Sequence, residues 1–159
     1  MSPRRPYPKI FILNREDAEA FVAEPTDVCI SIRAPRSPTP KLSPAFGAVL
    51  WLSFDDVAGV PKAFLETHPN LVPPSQWQVD AIADFALTHR DAMRMVIHCE
   101  AGISRSLTVG LAISSKLSRR WAYPRWYRRG ARTKKEVHWR DFFDAITAAI
   151  DLQRRKAHA

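Results

Sequence analysis

The sequence MVIHCEAGISRS, from Met95 to Ser106, carries the strongest structural pattern in this chain. An apolar, strand-like run ends at Cys99, a short loop of small residues follows, and a helix-like run begins near Arg105. Where a strand feeds a loop at a helix N-terminus, backbone N–H groups converge and can hold a dianion. The helix dipole and a nearby arginine also favour the thiolate form of a cysteine at that place. The stretch therefore predicts a nucleophile and an anion cradle in one loop.

Strand-like and helix-like runs alternate on both sides of this stretch. The strands are predicted over 9–13, 28–32, 48–54 and 93–98, and the third, being almost wholly apolar, is expected to be buried on both faces. The helices are predicted over 15–24 with Asn14 as N-cap, from Ser75 to about Arg90, from Arg105 to about Ser118, and along the terminal apolar stripe Trp139, Phe142, Phe143, Ile146, Ala149 and Ile150. Residues 33–44, with four prolines, and 57–74 are expected to be loops.

This alternation predicts an α/β fold. We expect a three-layer sandwich, with a central, mostly parallel sheet of four or five strands and helices on both faces. In such a sheet the crossover loops gather functional groups at the carboxyl ends of the strands. Cys99 and the pair Asp55 and Asp56 both follow strands, so they are expected at that edge.

Composition limits the possible classes of protein. The 159 residues, 46% hydrophobic and 25% charged, predict one globular domain over 1–159, with residues 1–8 disordered. No apolar run reaches the length of a membrane span, and a cytoplasmic location is the default expectation. The two cysteines, Cys29 and Cys99, give no disulfide framework and no paired metal ligands. We expect neither a metal ion nor a cofactor.

The positive charge is concentrated in residues 116–140, called the basic segment below. Ten Lys or Arg residues lie there against one acid, Glu136, so its net charge of +9 exceeds the +8 of the whole chain. Arginines alternate with aromatic residues between Trp121 and Arg129. Such a segment can attract an acidic partner or stack on nucleic-acid bases, and the alternative is a solvated basic loop anchored by its aromatics.

The motif His98-Cys99, five residues, Arg105 resembles the signature of the cysteine-dependent protein tyrosine phosphatases. The run Ala-Gly-Ile-Ser-Arg-Ser, ending at Ser106, looks most like the dual-specificity branch of that family. The close match is confined to this loop, with looser similarity upstream. The resemblance implies hydrolysis of phosphate monoesters: phosphotyrosine, with phosphoserine and phosphothreonine as further substrates.

Each loop residue then has an expected role. Cys99 would attack phosphorus and form a phosphocysteine, and Arg105 would hold two phosphate oxygens with its planar fork. By the resemblance, Ser106 stabilises the sulfur anion and His98 orients the loop; the alternatives are a plain helix cap and a plain buried histidine. The other expected substrate-binding residues, acting mainly through backbone N–H groups, are Glu100, Ala101, Gly102, Ile103 and Ser104. The loop contains no lysine that could bind additional phosphates, and this disfavours polyphosphorylated inositol lipids as substrates.

A phosphate monoester also needs an acid for its leaving oxygen. In the family that the loop resembles, this aspartate lies upstream, on a loop after a strand. Asp56 is preferred as the acid because Phe54-Asp55-Asp56 resembles a Phe-x-Asp pattern, and Asp55 is the alternative. A non-catalytic interpretation is that the two aspartates only form a turn or cap a helix. Cys29 is expected to be a small buried residue, although a resolving cysteine for Cys99 is the alternative.

Other functions stay open at this point. The chain can be a phosphatase for a non-protein phosphate, such as a nucleic-acid 5′ end or a nucleotide, which the basic segment favours. It can also be a catalytically weak phosphate-binding module, if neither aspartate reaches the leaving group. An arsenate reductase or a sulfurtransferase also uses a cysteine anion loop, but arsenate reductases of the low-molecular-weight phosphatase type place that loop near the N-terminus, whereas Cys99 comes late.

Overall fold

Four parallel strands form the sheet, in the order β1-β4-β2-β3. The computed structural model describes residues 7–57, 60–117 and 139–159. Within those ranges the strands are β1 (Lys9–Leu13), β2 (Asp27–Arg33), β3 (Ala48–Ser53) and β4 (Arg94–His98). The helices there are α1 (Arg15–Glu19), α2 (Lys62–Thr67), α3 (Gln76–Thr88), α4 (Arg105–Leu117) and α5 (Arg140–Ala157).

Alternation of side chains along the strands divides the core in two. Even-numbered residues of β1 and β2, with Met95 and Ile97 of β4, pack under α3, α4 and α5 in the larger core. Val96 and Cys29 point to the other face, where they meet Ala18 of α1 and Phe46 of the loop between β2 and β3. Helices therefore lie on both faces of a parallel sheet, and the predicted α/β sandwich is confirmed.

Capping residues fix where the first and third helices begin. The side chain of Asn14 accepts a hydrogen bond from the backbone N–H of Asp17 at 2.7 Å, as expected of an N-cap. Ser75 and Gln78 form a capping box at the start of α3. Both predicted starts are confirmed.

Three expectations about elements are wrong. The first helix ends at Glu19 rather than near residue 24, and Val22 is 82% exposed, because the chain turns away before Pro25 and the apolar stripe is not continued. β3 is not buried on both faces, because it pairs with β2 at the edge of the sheet and leaves Trp51 47% exposed. The expected loop 57–74 contains the short helix α2.

Strand register brings the functional segments to one edge of the sheet. Leu13 of β1 and Ser31 of β2 both pair with His98, the last residue of β4. The carboxyl ends of three neighbouring strands therefore lie side by side, and the chain after β1 and after β4 leaves from the same place. That is the edge at which parallel sheets assemble their sites.

Two expectations fall mainly on residues that are not described. The structure describes neither residues 1–6, within the expected disordered stretch 1–8, nor residues 118–138 of the basic segment. Among the helices in the described ranges, none is both long and apolar enough to cross a membrane.

Candidate active site

The loop between β4 and α4 wraps around the sulfur of Cys99. The Cys99 side chain is buried, with Sγ 3.2 Å from the hydroxyl Oγ of Ser106 and 3.3 Å from the backbone N–H of Gly102, which donates to it. Ser106 lies in the first turn of α4, whose N-terminus faces the loop. Two donors and a helix N-terminus can therefore stabilise a sulfur anion at this position.

The loop rests on the junction between β1 and α1. Gly102 has φ of +69°, and a Cβ there would lie 2.7 Å from backbone atoms of Leu13 and Asn14. The backbone N–H of Arg15 donates to the carbonyl of Glu100 at 3.1 Å, and the Arg15 guanidinium lies 3.6 Å from the Glu100 carboxylate. These contacts could not be inferred from local sequence patterns, because they join segments far apart along the chain.

The buried guanidinium of Arg105 has a hydrogen bond to the protein backbone. Its Nη1 donates to the carbonyl oxygen of Phe54 at 2.9 Å, and the side chain is only 6% exposed. Its Nε is buried and has no hydrogen-bond partner among the described residues. A buried donor without a partner costs free energy unless a ligand satisfies it. An anion in the loop is the fitting acceptor, because a guanidinium binds oxyanions with two parallel donors.

The two candidate acids have different surroundings. The carboxylate of Asp55 is buried and accepts from the backbone N–H of Val72 at 2.8 Å and from Nη2 of Arg36 at 3.3 Å. Asp56 is exposed, lines the pocket that holds Cys99, and accepts from Oγ of Ser104 at 2.9 Å. Asp55 thus holds the loop after β3 in place, and Asp56 is the carboxylate that can meet a substrate.

His98 lies beneath the loop, fully buried between strands. Its Nε2 lies 2.8 Å from Oγ of Ser31, and Nδ1 has no well-aligned hydrogen bond to any described residue. Burial lowers the pKa of His98 below its ordinary value, and a weaker interaction with the Cys99 backbone opposes that shift. The ring is therefore neutral near pH 7, and His98 directly precedes Cys99 in the chain.

These side chains enclose an open pocket of about 410 Å³. Its lining comprises Asp56, Cys99, Glu100, Ala101, Ile103, Ser104 and Arg105. Gly102, Ser106 and His98 support the loop through the contacts given above. All ten residues singled out from the sequence therefore lie in or against one site, and their chemical roles remain predictions.

Cys29 lies too far from the site to act as a resolving cysteine in this conformation. It pairs in register with Val96, three residues before Cys99, and packs in the smaller core, whereas Cys99 packs in the larger core on the other face of the sheet. Burial raises the pKa of the Cys29 thiol to about 12, so it stays protonated. The reading as a small buried residue fits this environment.

Sequence reasoning missed one side chain in contact with the candidate acid. Trp139 was expected only as a core residue of the terminal helix, and it is indeed buried, at the N-cap of α5. Its indole Nε1 also donates to Oδ1 of Asp56 at 3.2 Å. Helical periodicity assigns a tryptophan to a core face but says nothing about where its N–H group points.

Within residues 7–57, 60–117 and 139–159, no cluster of three or more His, Cys, Asp or Glu side chains could hold a metal ion. Comparison with protein-family models, with curated proteins and with solved structures finds no match to this chain.

Proposed function

We propose that this protein is a phosphatase that hydrolyses phosphate monoesters through a phosphocysteine on Cys99. The substrates proposed are phosphotyrosine in proteins, with phosphoserine and phosphothreonine beside it. The observation that carries the proposal is the convergence of Cys99, Arg105 and Asp56 on one pocket. A nucleophile, an oxyanion clamp and an acid are the three groups that this reaction needs.

In the first step, the Cys99 thiolate attacks phosphorus and the bond to the leaving oxygen breaks. Asp56 gives its proton to that oxygen, which avoids release of an alkoxide or phenoxide. The transition state is loose and spreads negative charge over the three other phosphoryl oxygens. Arg105 Nε and the N–H groups of the loop are donors suited to those oxygens, because no described residue accepts a hydrogen bond from Nε.

In the second step, water attacks the phosphocysteine and the phosphorus–sulfur bond breaks. Asp56, now a carboxylate, accepts the proton of that water. The sulfur leaves as a thiolate, and the Ser106 hydroxyl, 3.2 Å away, can donate a hydrogen bond to it. Inorganic phosphate is the product, and Cys99 and Asp56 return to their starting protonation states.

The acidic and apolar groups of the pocket favour a singly phosphorylated substrate. Glu100 and Asp56 line it beside Arg105, and Ile103 is 55% exposed there. Carboxylates repel a second phosphate, and an exposed isoleucine can contact an aryl leaving group. We propose a phosphorylated protein as partner and the cytoplasm as location, because a catalytic thiolate needs a reducing compartment.

The direct test is hydrolysis of an aryl phosphate in the presence of EDTA. Wild type is compared with Cys99→Ser, Asp56→Asn and the matched neighbour Asp55→Asn. We expect turnover by wild type, no turnover by Cys99→Ser, and a loss of about 10²-fold or more in Asp56→Asn. Asp55→Asn should keep the chemistry and lose stability, because its carboxylate bonds to Val72 and Arg36.

Other outcomes would point elsewhere. Full activity in Cys99→Ser, or turnover that EDTA abolishes, would overturn the phosphocysteine route. Phosphate binding without turnover in wild type would instead indicate a binding module. A faster rate on 5′-phosphorylated RNA than on phosphopeptides, falling with added salt, would favour a nucleic-acid substrate held by the basic segment.

A further inference from the structure

Two hydrogen-bond donors from different parts of the chain converge on one oxygen of Asp56. Oδ1 accepts from Oγ of Ser104 at 2.9 Å and from the indole Nε1 of Trp139 at 3.2 Å. Ser104 belongs to the loop that holds the nucleophile, whereas Trp139 precedes the C-terminal helix α5. The carboxylate is therefore bound to both the nucleophile loop and the helical layer.

The indole itself has little freedom to turn away. Trp139 is 5% exposed, and its ring lies 5.1 Å from the ring of Phe142 and 5.8 Å from that of Phe54, centroid to centroid. Phe54 precedes the two aspartates, and its carbonyl oxygen accepts from Arg105. The cluster of Phe54, Trp139 and Phe142 thus fixes an indole N–H against a carboxylate that is otherwise exposed.

We propose that Trp139 is a positioning residue for Asp56, an inference that rests on the proposed phosphatase function. A carboxyl oxygen that accepts two hydrogen bonds has both lone pairs occupied, so the transferable proton resides on Oδ2. The two donors also restrict rotation of the carboxyl group and keep Oδ2 available to the leaving oxygen. As the proton leaves, negative charge develops on the carboxylate and both hydrogen bonds strengthen.

A residue that acts through the acid has a recognisable kinetic effect. In the first step, its loss should slow reactions whose leaving oxygen needs a proton and spare those whose leaving group departs as a stable anion. It should also have no effect once the acid is removed, because two residues that act as a unit are not additive. A tryptophan that only holds the core together would slow all substrates equally.

The experiment compares Trp139→Phe with Phe142→Leu, a matched change in the same aromatic cluster at a side chain that has no hydrogen-bond donor to offer Asp56. The substrates are phenyl phosphate, a poor leaving group, and 2,4-dinitrophenyl phosphate, a good one. We expect Trp139→Phe to lower kcat/KM, which reports only the first step, about tenfold on phenyl phosphate and less than about twofold on the dinitrophenyl ester. Phe142→Leu should affect both substrates alike, and Asp56→Asn/Trp139→Phe should equal Asp56→Asn.

A second variant guards against misfolding of Trp139→Phe. Incorporation of benzothienylalanine at position 139 keeps the ring size and replaces only the N–H group by sulfur. The same leaving-group pattern is expected from it. Equal losses on both substrates, or a further loss in the double variant, would overturn the positioning role while Cys99-dependent turnover by wild type still upheld the phosphatase. Absence of that turnover in wild type would overturn both.

Discussion

The guanidinium of Arg105 has one donor bound to the protein and another that is available to the candidate substrate. Nη1 donates to the carbonyl of Phe54, and the buried Nε has no partner among the described residues. A lysine has one point charge on a flexible stem and cannot do both with fixed geometry. One side chain therefore couples the loop after β3, which carries Asp56, to the loop that carries Cys99.

Gly102→Ala adds only one methyl group, but we expect it to damage this site severely. The residue has φ of +69°, and a new Cβ would meet backbone atoms of Leu13 and Asn14 at 2.7 Å. We expect a loss of about 2 kcal/mol or more in the free energy of unfolding, because backbone strain adds to the clash, together with a large loss of phosphatase activity. Urea denaturation and aryl phosphate hydrolysis measure the two effects.

Gly110→Ala is the matched control in α4. Its Cβ would lie 2.6 and 2.8 Å from Cδ1 and Cγ1 of Ile12 rather than against backbone, and its φ is not positive. Overpacking against this buried side chain costs about 1 to 3 kcal/mol, which a gain of about 1 kcal/mol in helix propensity partly offsets, so we expect some loss of stability but no large loss of aryl phosphate hydrolysis. Equal loss of hydrolysis in the two variants would show that the loop conformation of Gly102 is not special.

At the scale of single residues, much of the candidate site followed from sequence. The spacing of Cys99 and Arg105 and the strand before Asp56 were enough to bring those residues together. The hydrogen bond from Trp139 was not predictable, since it depends on how α5 packs against Phe54. Local spacing predicts a loop, whereas contacts between distant segments require the packed fold.

Elements were predictable where apolar periodicity and capping agreed. All four strands, together with α3 and α4, differ from their expected bounds by no more than two residues. The burial of β3 was not predictable, because an apolar run does not reveal whether a strand is central or at an edge. The short α2 has no buried residue and hence no apolar stripe to mark it.

The start of α1 also supports the nucleophile loop. The Asn14 side chain caps the helix, and its backbone N lies next to Gly102. We expect Asn14→Ala to lower the free energy of unfolding by about 1 kcal/mol, whereas Asn14→Ser, which keeps a capping oxygen, should lower it much less. Urea denaturation of the three proteins measures this, and indistinguishable midpoints would contradict the capping role.

Across the whole molecule, an ion pair between a buried carboxylate and a partly exposed arginine lies at the end of the sheet opposite the site. Asp27 and Arg94 face each other in register at the amino ends of β2 and β4. The Asp27 carboxylate accepts two hydrogen bonds from Arg94, through Nε and Nη2, and a third from the backbone N–H of Glu24. The candidate active site and the Asp27–Arg94 ion pair are therefore at opposite ends of the same strands.

Stability should consequently fall in acid. Hydrogen bonds from Arg94 hold the pKa of Asp27 below its ordinary value, so the carboxylate stabilises the fold at pH values above the unfolded pKa, near 4. That stability is lost as the pH falls through the lower, folded pKa. We expect Asp27→Asn to lose about 2 to 3 kcal/mol at pH 7 and progressively less, relative to wild type, as the pH falls below about 4.

The exposed Asp84 provides the control for this prediction. Asp84→Asn removes the same charge from the surface of α3 and should leave the pH dependence of unfolding near that of wild type. Thermal or urea unfolding between pH 3 and pH 7 makes the comparison. A constant difference between wild type and Asp27→Asn over that range would contradict the assigned cause.

The proposed reaction passes through a phosphocysteine on Cys99, which can be trapped. The measurement is rapid acid quench of the enzyme with 4-nitrophenyl phosphate, followed by mass spectrometry of the peptide that contains Cys99. We expect a phosphorylated Cys99 that appears within the first turnover, accumulates further in Asp56→Asn, and is absent from Cys99→Ala. Steady turnover with no phosphate on that peptide, or turnover that persists in Cys99→Ala, would contradict it.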